Sequence, residues 1–194
     1  MKLYIFTEET SAEKCFEAIL PKIILGSQSF KILAHGGREN LKKALKTTLP
    51  KISESNGARI LITIDQDKHD CKNLKKELQE IIQKNCRCSY KIRIVCKELE
   101  SWFLGDLEAI SKAYPRFRAD KYRNKSDMRN VDAINSPSKK LLKIITQLEG
   151  RKFLSKNELS EKISNHLDLT KNTSNSFNQT VQAIKFLFQK TDEK

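Results

Sequence analysis

The run Arg59-Ile60-Leu61-Ile62-Thr63-Ile64 is the tightest constraint on what this chain can fold into. Its β-branched and apolar residues show no polar alternation, so it reads as a strand buried on both faces. The run ends abruptly in Asp65-Gln66-Asp67. In an extended backbone residues i and i+2 project to one side, so both carboxylates are expected to aim at one point beyond the strand. Two like charges that close need a cation between them. A divalent metal on hard oxygen ligands is the simplest neutraliser, and the carboxyl end of a strand is where α/β proteins place their chemistry. The competing reading is an Asx turn into the next helix.

The rest of the chain supplies partners for that strand. Residues 2–7, 29–34 and 90–96 also read as strands. Between them lie helical patterns: residues 10 or 11 to about 24, with Cys15, Phe16, Ile19 and Leu20 on one face; about 39–49 after the turn His35-Gly36-Gly37-Arg38; and 70–85. A chain that alternates strand and helix in this way predicts a mainly parallel sheet flanked by helices. Beyond residue 110 comes a long polar stretch, 115–137, followed by helices over 138–148, 156–167 and 175–189. The expected organisation is an α/β core over residues 1–110 with a basic loop and C-terminal helical extension, 111–194, packed on it.

Charge is unevenly placed. The whole chain of 194 residues carries +13, but residues 111–156 alone hold 13 Lys and Arg against 4 Asp and Glu. A basic tract beside an acidic cluster is what a nucleic-acid-cleaving enzyme needs, cations for phosphates and carboxylates for a metal; a solvated lysine-rich face is the plainer alternative. The first residues turn acidic at once and carry no signal-peptide pattern, and no apolar run approaches spanning length, so a cytoplasmic protein is expected. Five cysteines without framework spacing fit reduced thiols; Cys86-Arg87-Cys88 is the only close pair.

Other acids stand where strands end. Glu8 and Glu9 follow the first strand, and Glu98 and Glu100 follow the fourth, in a stretch whose Trp102, Phe103 and Leu104 predict a short helix packed on the sheet's carboxyl edge. If the strands are neighbours, Glu8, Asp65 and Asp67 hold one or two Mg²⁺ or Mn²⁺ ions, with Glu98 and Glu100 completing a second site. A solvated first-turn acid is the alternative for Glu8. Arg38, at a helix start, is a phosphate-binding candidate. Arg116, Arg118, Lys121, Arg123 and Arg129, with Tyr122 among them, form a candidate strand-holding loop. Trp102 and Phe103 are expected in the core, and His35 is expected to be buried or to cap.

A glutamate after the first strand and Asp-x-Asp after the third resemble the pattern of Toprim-like nuclease domains. More narrowly, EETSAE, HGGREN, DQDKHDC, KELESWFLGD, AYPRFR with KYRN, and NHLDLTKNTSNSFNQTVQAI resemble successive blocks of one uncharacterised Toprim-like family, domain-of-unknown-function family 4276. The resemblance implies a Toprim-like, Rossmann-like fold and a Mg²⁺-dependent nuclease found beside SMC-like or ABC-like ATPases in phage-defence operons, with a role of the abortive-infection kind. Carried over by position, Glu8 is general base or metal ligand and Asp65 and Asp67 are Mg²⁺ ligands, with Asp70 and Glu13 as further acids. Glu9 stands where Toprim proteins often carry glycine, so a catalytically idle module that binds nucleic acid or senses a phage component is the alternative. Nucleic acid, the ATPase and a second copy of the chain are the expected partners. A phosphoacceptor receiver domain fits less well, because no solitary Asp is followed by the Thr/Ser and Lys that such a switch needs.

Overall fold

The computed structural model describes residues 1–24, 26 and 28–189. Its strands are β1 (Lys2–Thr7), β2 (Ser29–Ala34), β3 (Ala58–Asp65) and β4 (Ser89–Val95). They form one sheet, all pairings parallel, in the order β2-β1-β3-β4. The chain therefore runs outward from β1 to β2, then returns past β1 to lay β3 and β4 on the other side. The reversal lies between β1 and β3, and in open α/β sheets the crevice at such a switch point is where ligands bind. The architecture is the expected Rossmann-like α/β one.

β3 is buried along its length until Asp65, as the apolar run requires. Its alternate side chains serve two cores. Ile60, Ile62 and Ile64 join Phe6, Leu41, Leu45, Leu74, Leu78 and Ile82 on one face, under α2 (Arg38–Thr47) and α4 (Cys71–Asn85). Leu61 joins Leu3, Ile5, Phe16 and Trp102 on the other face. That second core is covered by α1 (Thr10–Ile19), α5 (Glu100–Leu104), α6 (Leu107–Ala113), α8 (Pro137–Glu149), α9 (Lys156–Ser164) and α10 (Asn175–Gln189). Leu3, Ile110, Leu141, Leu159 and Ile184 belong to this single apolar cluster, so the C-terminal helices complete the sheet's second face.

Several element ends differ from the expectation for identifiable reasons. The first helix stops at Ile19 and tightens into a 3₁₀ turn over Leu20–Lys22, where Pro21 offers no N–H to continue the α ladder. The helix expected over about 39–49 ends at Thr47, and a separate short helix, α3 (Leu49–Ser53), follows with Pro50 tolerated in its first turn. The basic stretch 115–137 is not featureless. It contains α7 (Asp120–Arg123) and two 3₁₀ turns, and Phe117, Ala119, Met128 and Val131 pin it to the core. Among the described residues, no helix is long and apolar enough to cross a membrane.

Candidate functional site

The ends of β1 and β3 lie side by side, with Thr7 in register with Thr63, so Glu8 and Asp65 flank the switch point. Directly beside β2, His35 donates its backbone N–H to the Thr7 carbonyl at 3.1 Å, and its ring stacks on Phe6, which gives it a packing role. Gly36 and Gly37 then turn the chain with φ of +67° and +129°, conformations a side chain strongly disfavours. The Gly37 N–H reaches the Glu8 carbonyl at 3.0 Å, and α2 starts at once with Arg38. The HGGR segment therefore aims Arg38 back across the sheet edge.

Arg38 does not face solvent as a free phosphate ligand. Its Nη2 donates to the Asp65 carbonyl at 2.6 Å and to the Asp67 carboxylate at 2.8 Å, and its Nε lies 3.9 Å from Glu8 Oε2. The chain itself thus supplies a cation between the Glu8 and Asp67 carboxylates, while Arg38 takes only the backbone carbonyl from Asp65. The geometry of the Asp pair also departs from the extended picture. β3 ends at Asp65, and Asp67 takes φ +52°, paired with a second left-handed residue, Lys97, whose carbonyl accepts the Asp67 N–H at 2.8 Å. Aspartate tolerates this conformation better than most residues. Asp67 consequently swings toward Arg38 and Glu8, whereas Asp65 faces Glu100, Glu9 and Glu8.

The fourth strand's end supplies the other half of the cluster. Glu98 accepts the Ser138 N–H at 2.9 Å, near the start of α8, and lies 4.0 Å from Lys156. Glu100 is 1% exposed, and among the described residues neither of its carboxylate oxygens has a hydrogen-bond partner. Burial pushes its carboxyl up to about 7, with Lys156 only partly offsetting. Burial likewise holds Asp65 well above the usual carboxylate range, reinforced by Glu100, Glu9 and Glu8. Glu8 is raised for the same reason against the pull of Arg38. Lys156, at the first position of α9, sits 3.7 Å from Glu9; burial works against its charge, but Glu100, Glu9, Glu98 and Asp65 together shift it upward.

Buried polar atoms without partners mark room for a guest, since nearly all such atoms in folded proteins are satisfied. Here Glu8 Oε2, Arg38 Nη1, Thr63 Oγ1 and both Glu100 oxygens are in that condition. A narrow pocket lined by Glu8, Glu9, Thr63, Asp65, Leu99 and Trp102 lies beside the first and third of these. Among the described residues, no three His, Cys, Asp or Glu side chains are gathered tightly enough to hold a metal ion as they stand. The donor set is nevertheless the hard-oxygen type that Mg²⁺ and Mn²⁺ take. Glu8 and Glu100, which follow the strands on either side of β3, are the residues beside Asp65 that would hold such an ion.

The remaining candidates divide. Asp70 spends one oxygen on the Asn73 N–H at 2.9 Å and caps α4 from an exposed position. Arg116 donates to the Leu148 carbonyl at 3.2 Å, Arg118 pairs with Asp120 at 3.4 Å, and Arg123 pairs with Glu108. Lys121 and Arg129 are exposed. Trp102 is fully buried, with its Nε1 donating to Ser176 Oγ at 2.8 Å, and it serves the core. Lys156 was missed by sequence reading. A lysine opening a helix gives no signal of its own, and its destination depends on α9 packing against α1, where Thr10 Oγ1 meets Asn157 Oδ1 at 3.0 Å.

Fold and site together define a Rossmann-like α/β protein with an acidic cluster, bridged by Arg38 and Lys156, at the switch point of its sheet. The family model of a domain of unknown function, DUF4276, matches residues 7–185, and the chain belongs to that family. No curated protein and no solved structure matches it.

Proposed function

We infer that the protein is a Toprim-like, divalent-metal-dependent nuclease that cleaves phosphodiester bonds in DNA or RNA. The observation that carries this reading is that Glu8 Oε2 and both Glu100 oxygens, on either side of Asp65 at the sheet's switch point, are buried without a hydrogen bond among the described residues. Asp65, Glu8 and Asp67 are the residues that would hold a Mg²⁺ or Mn²⁺ ion, with Glu98 and Glu100 beside them for a second. When bound, the ion supplies a nucleophilic water and charge stabilisation at phosphorus. The chain's own contribution is electrostatic and positional. Arg38 keeps the Glu8 and Asp67 charges together in the absence of substrate. Glu100, near neutrality, holds or releases a proton beside Asp65 within the working pH range. Lys156 and the exposed cations Lys121 and Arg129 carry the strand's backbone charge.

In this reading the protein works in the cytoplasm as a phage-defence effector under an SMC-like or ABC-like ATPase, as its Toprim-like sequence blocks imply. A second reading, a non-catalytic nucleic-acid-binding or phage-sensing module, is favoured by one observation: Arg38 already pairs with Asp67 and reaches toward Glu8, leaving the acids partly neutralised without a metal. Incubating the protein with Mg²⁺ or Mn²⁺ and plasmid, single-stranded DNA and RNA separates the two. The nuclease reading expects cleavage that falls at least about 100-fold in Asp65→Asn and in Glu8→Gln. Salt-sensitive binding with no metal-dependent turnover on any substrate would instead establish the binding module.

A further inference from the structure

Helix α8 ends at Gly150, with φ +64°, and the chain reaches α9 within a few residues. Leu154 is buried at 3% exposure and Ser155 caps α9 by accepting the Glu158 N–H at 3.1 Å, so the connection is anchored at its far end. Phe153, next to that anchor, is 74% exposed, against 42% for Met1 and 45% for Phe186, the other exposed large apolar side chains among the described residues. Phe186 is partly covered by the Lys91 ammonium, 4.1 Å from its ring centroid. Burying a phenylalanine ring is favourable, and Phe153 forgoes that gain where it stands.

Its surroundings indicate what covers it. Exposed Lys152 directly precedes it, Arg151 before that is ion-paired with Glu158, and Arg116 joins the end of α8 through the Leu148 carbonyl. Lys156 follows three residues later, at most about 10 Å along the chain, and contacts Glu9 and Glu98 of the acidic cluster. A single ring among cations is too small for an apolar protein-docking patch. It matches the combination that holds single strands: cations for the backbone and an aromatic face for a base, worth about 1–3 kcal/mol per base and tolerant of sequence. In a duplex the base faces are already stacked on one another and leave nothing for the ring.

We propose that Phe153 is a stacking platform for an unpaired base at the edge of the acidic site, so that the nucleic acid taken there is single-stranded. This rests on the phosphodiester reading for the identity of the site, but its test is a binding measurement. A Phe153→Trp variant places a reporter on the surface, and the one native tryptophan, Trp102, is fully buried and gives a separate emission. In an Asp65→Asn background, short oligothymidylate, oligouridylate and a duplex of the same length are titrated in turn. Single strands are expected to quench the new emission and the duplex is not, and the two single-stranded arms distinguish DNA from RNA. Phe153→Ala is expected to weaken single-strand binding roughly 5- to 150-fold and leave duplex binding unchanged. Absence of quenching by both single strands, or an equal loss for single strand and duplex, overturns the proposal. If single strands bind through Phe153 but the wild-type protein cleaves nothing with metal, the nuclease reading fails and the stacking platform stands. Cleavage with single-strand binding unchanged by Phe153→Ala removes the platform alone.

Discussion

The Arg38 guanidinium donates to the Asp67 carboxylate at 2.8 Å and to the Asp65 carbonyl at 2.6 Å, tying helix α2 to the end of β3 across the switch point of the sheet. Arg38→Ala removes these bonds and leaves Glu8 without its nearest cation. Charge-assisted hydrogen bonds of this kind contribute about 1.5–3 kcal/mol, so the variant is expected to unfold at lower denaturant. If the acids also bind a divalent ion, millimolar Mn²⁺ should raise the melting temperature of Arg38→Ala more than that of the wild type. Identical shifts in the two proteins would show that Arg38 and the ion do not compete for the same carboxylates.

Glu100 gives the protein a pH dependence whose sign is fixed by burial. Its carboxyl is raised from an ordinary 4.5 to about 7, so the folded state holds the proton to higher pH than the unfolded chain does. Its contribution to stability is full below about pH 4.5 and is lost as pH rises through 7, a change of about 3 kcal/mol at 1.36 kcal/mol per unit. Glu100→Gln abolishes this term and should be more stable than the wild type at pH 8 but not at pH 5. Glu8, also raised, keeps its own dependence in both proteins, Asp65 is raised less in the variant because the Glu100 charge is gone, a change of the same sign, and Lys156, shifted above 10.5, acts only at higher pH. Chemical denaturation at the two pH values measures the difference. Parallel wild-type and variant curves would mean that Glu100 is solvated.

The sheet was legible because periodicity reports it directly. Ile60, Ile62 and Ile64 alternate with Leu61 between two cores, and strand-end positions for Glu8 and Asp65 follow from where those runs stop. Side-chain direction beyond a strand end was not legible. The i, i+2 rule carried Asp67 to the same side as Asp65, but it holds only while the backbone stays extended, and Asp67 is left-handed. Long cations escaped for a related reason. Arg38 was assigned to phosphate and Lys156 to nothing, because a flexible side chain goes wherever helix packing brings a carboxylate within reach.

The two thiols of Cys86 and Cys88 lie 3.7 Å apart at the start of β4, away from the acidic cluster. The hydrogen bond from Cys88 lowers the Cys86 thiol to about 7, while Cys88 is raised. The thiolate is the reactive form, so iodoacetamide should modify Cys86 first, with a rate midpoint near neutrality. Cys88→Ala removes the donor and should move that midpoint up toward the ordinary 9.0. Cys15, fully buried and pushed up to about 12, should react only on unfolding. Peptide mapping of alkylation against pH checks all three, and an unshifted midpoint in Cys88→Ala would exclude the sulfur pair as the cause.

Gly105 ends α5 at an ordinary φ of −71°, so its requirement is space and not backbone freedom. A Cβ there would lie 2.2 Å from Asn172 Oδ1 and 2.9 Å from the Ser174 nitrogen. Asn172 is the clasp between α5 and α10: its amide donates to the Trp102 carbonyl at 2.8 Å and its Oδ1 accepts the Ser174 N–H at 2.8 Å. Gly105→Ala is expected to cost about 1–3 kcal/mol, the range for overpacking a filled interior. Asn172→Ala also destabilises, because it leaves those two buried backbone groups unpaired. The two losses should not add, since the clash of the first needs the side chain that the second removes. A double-mutant cycle by denaturant unfolding measures the coupling. Strict additivity would show that the new methyl is accommodated by moving α5 rather than by displacing Asn172.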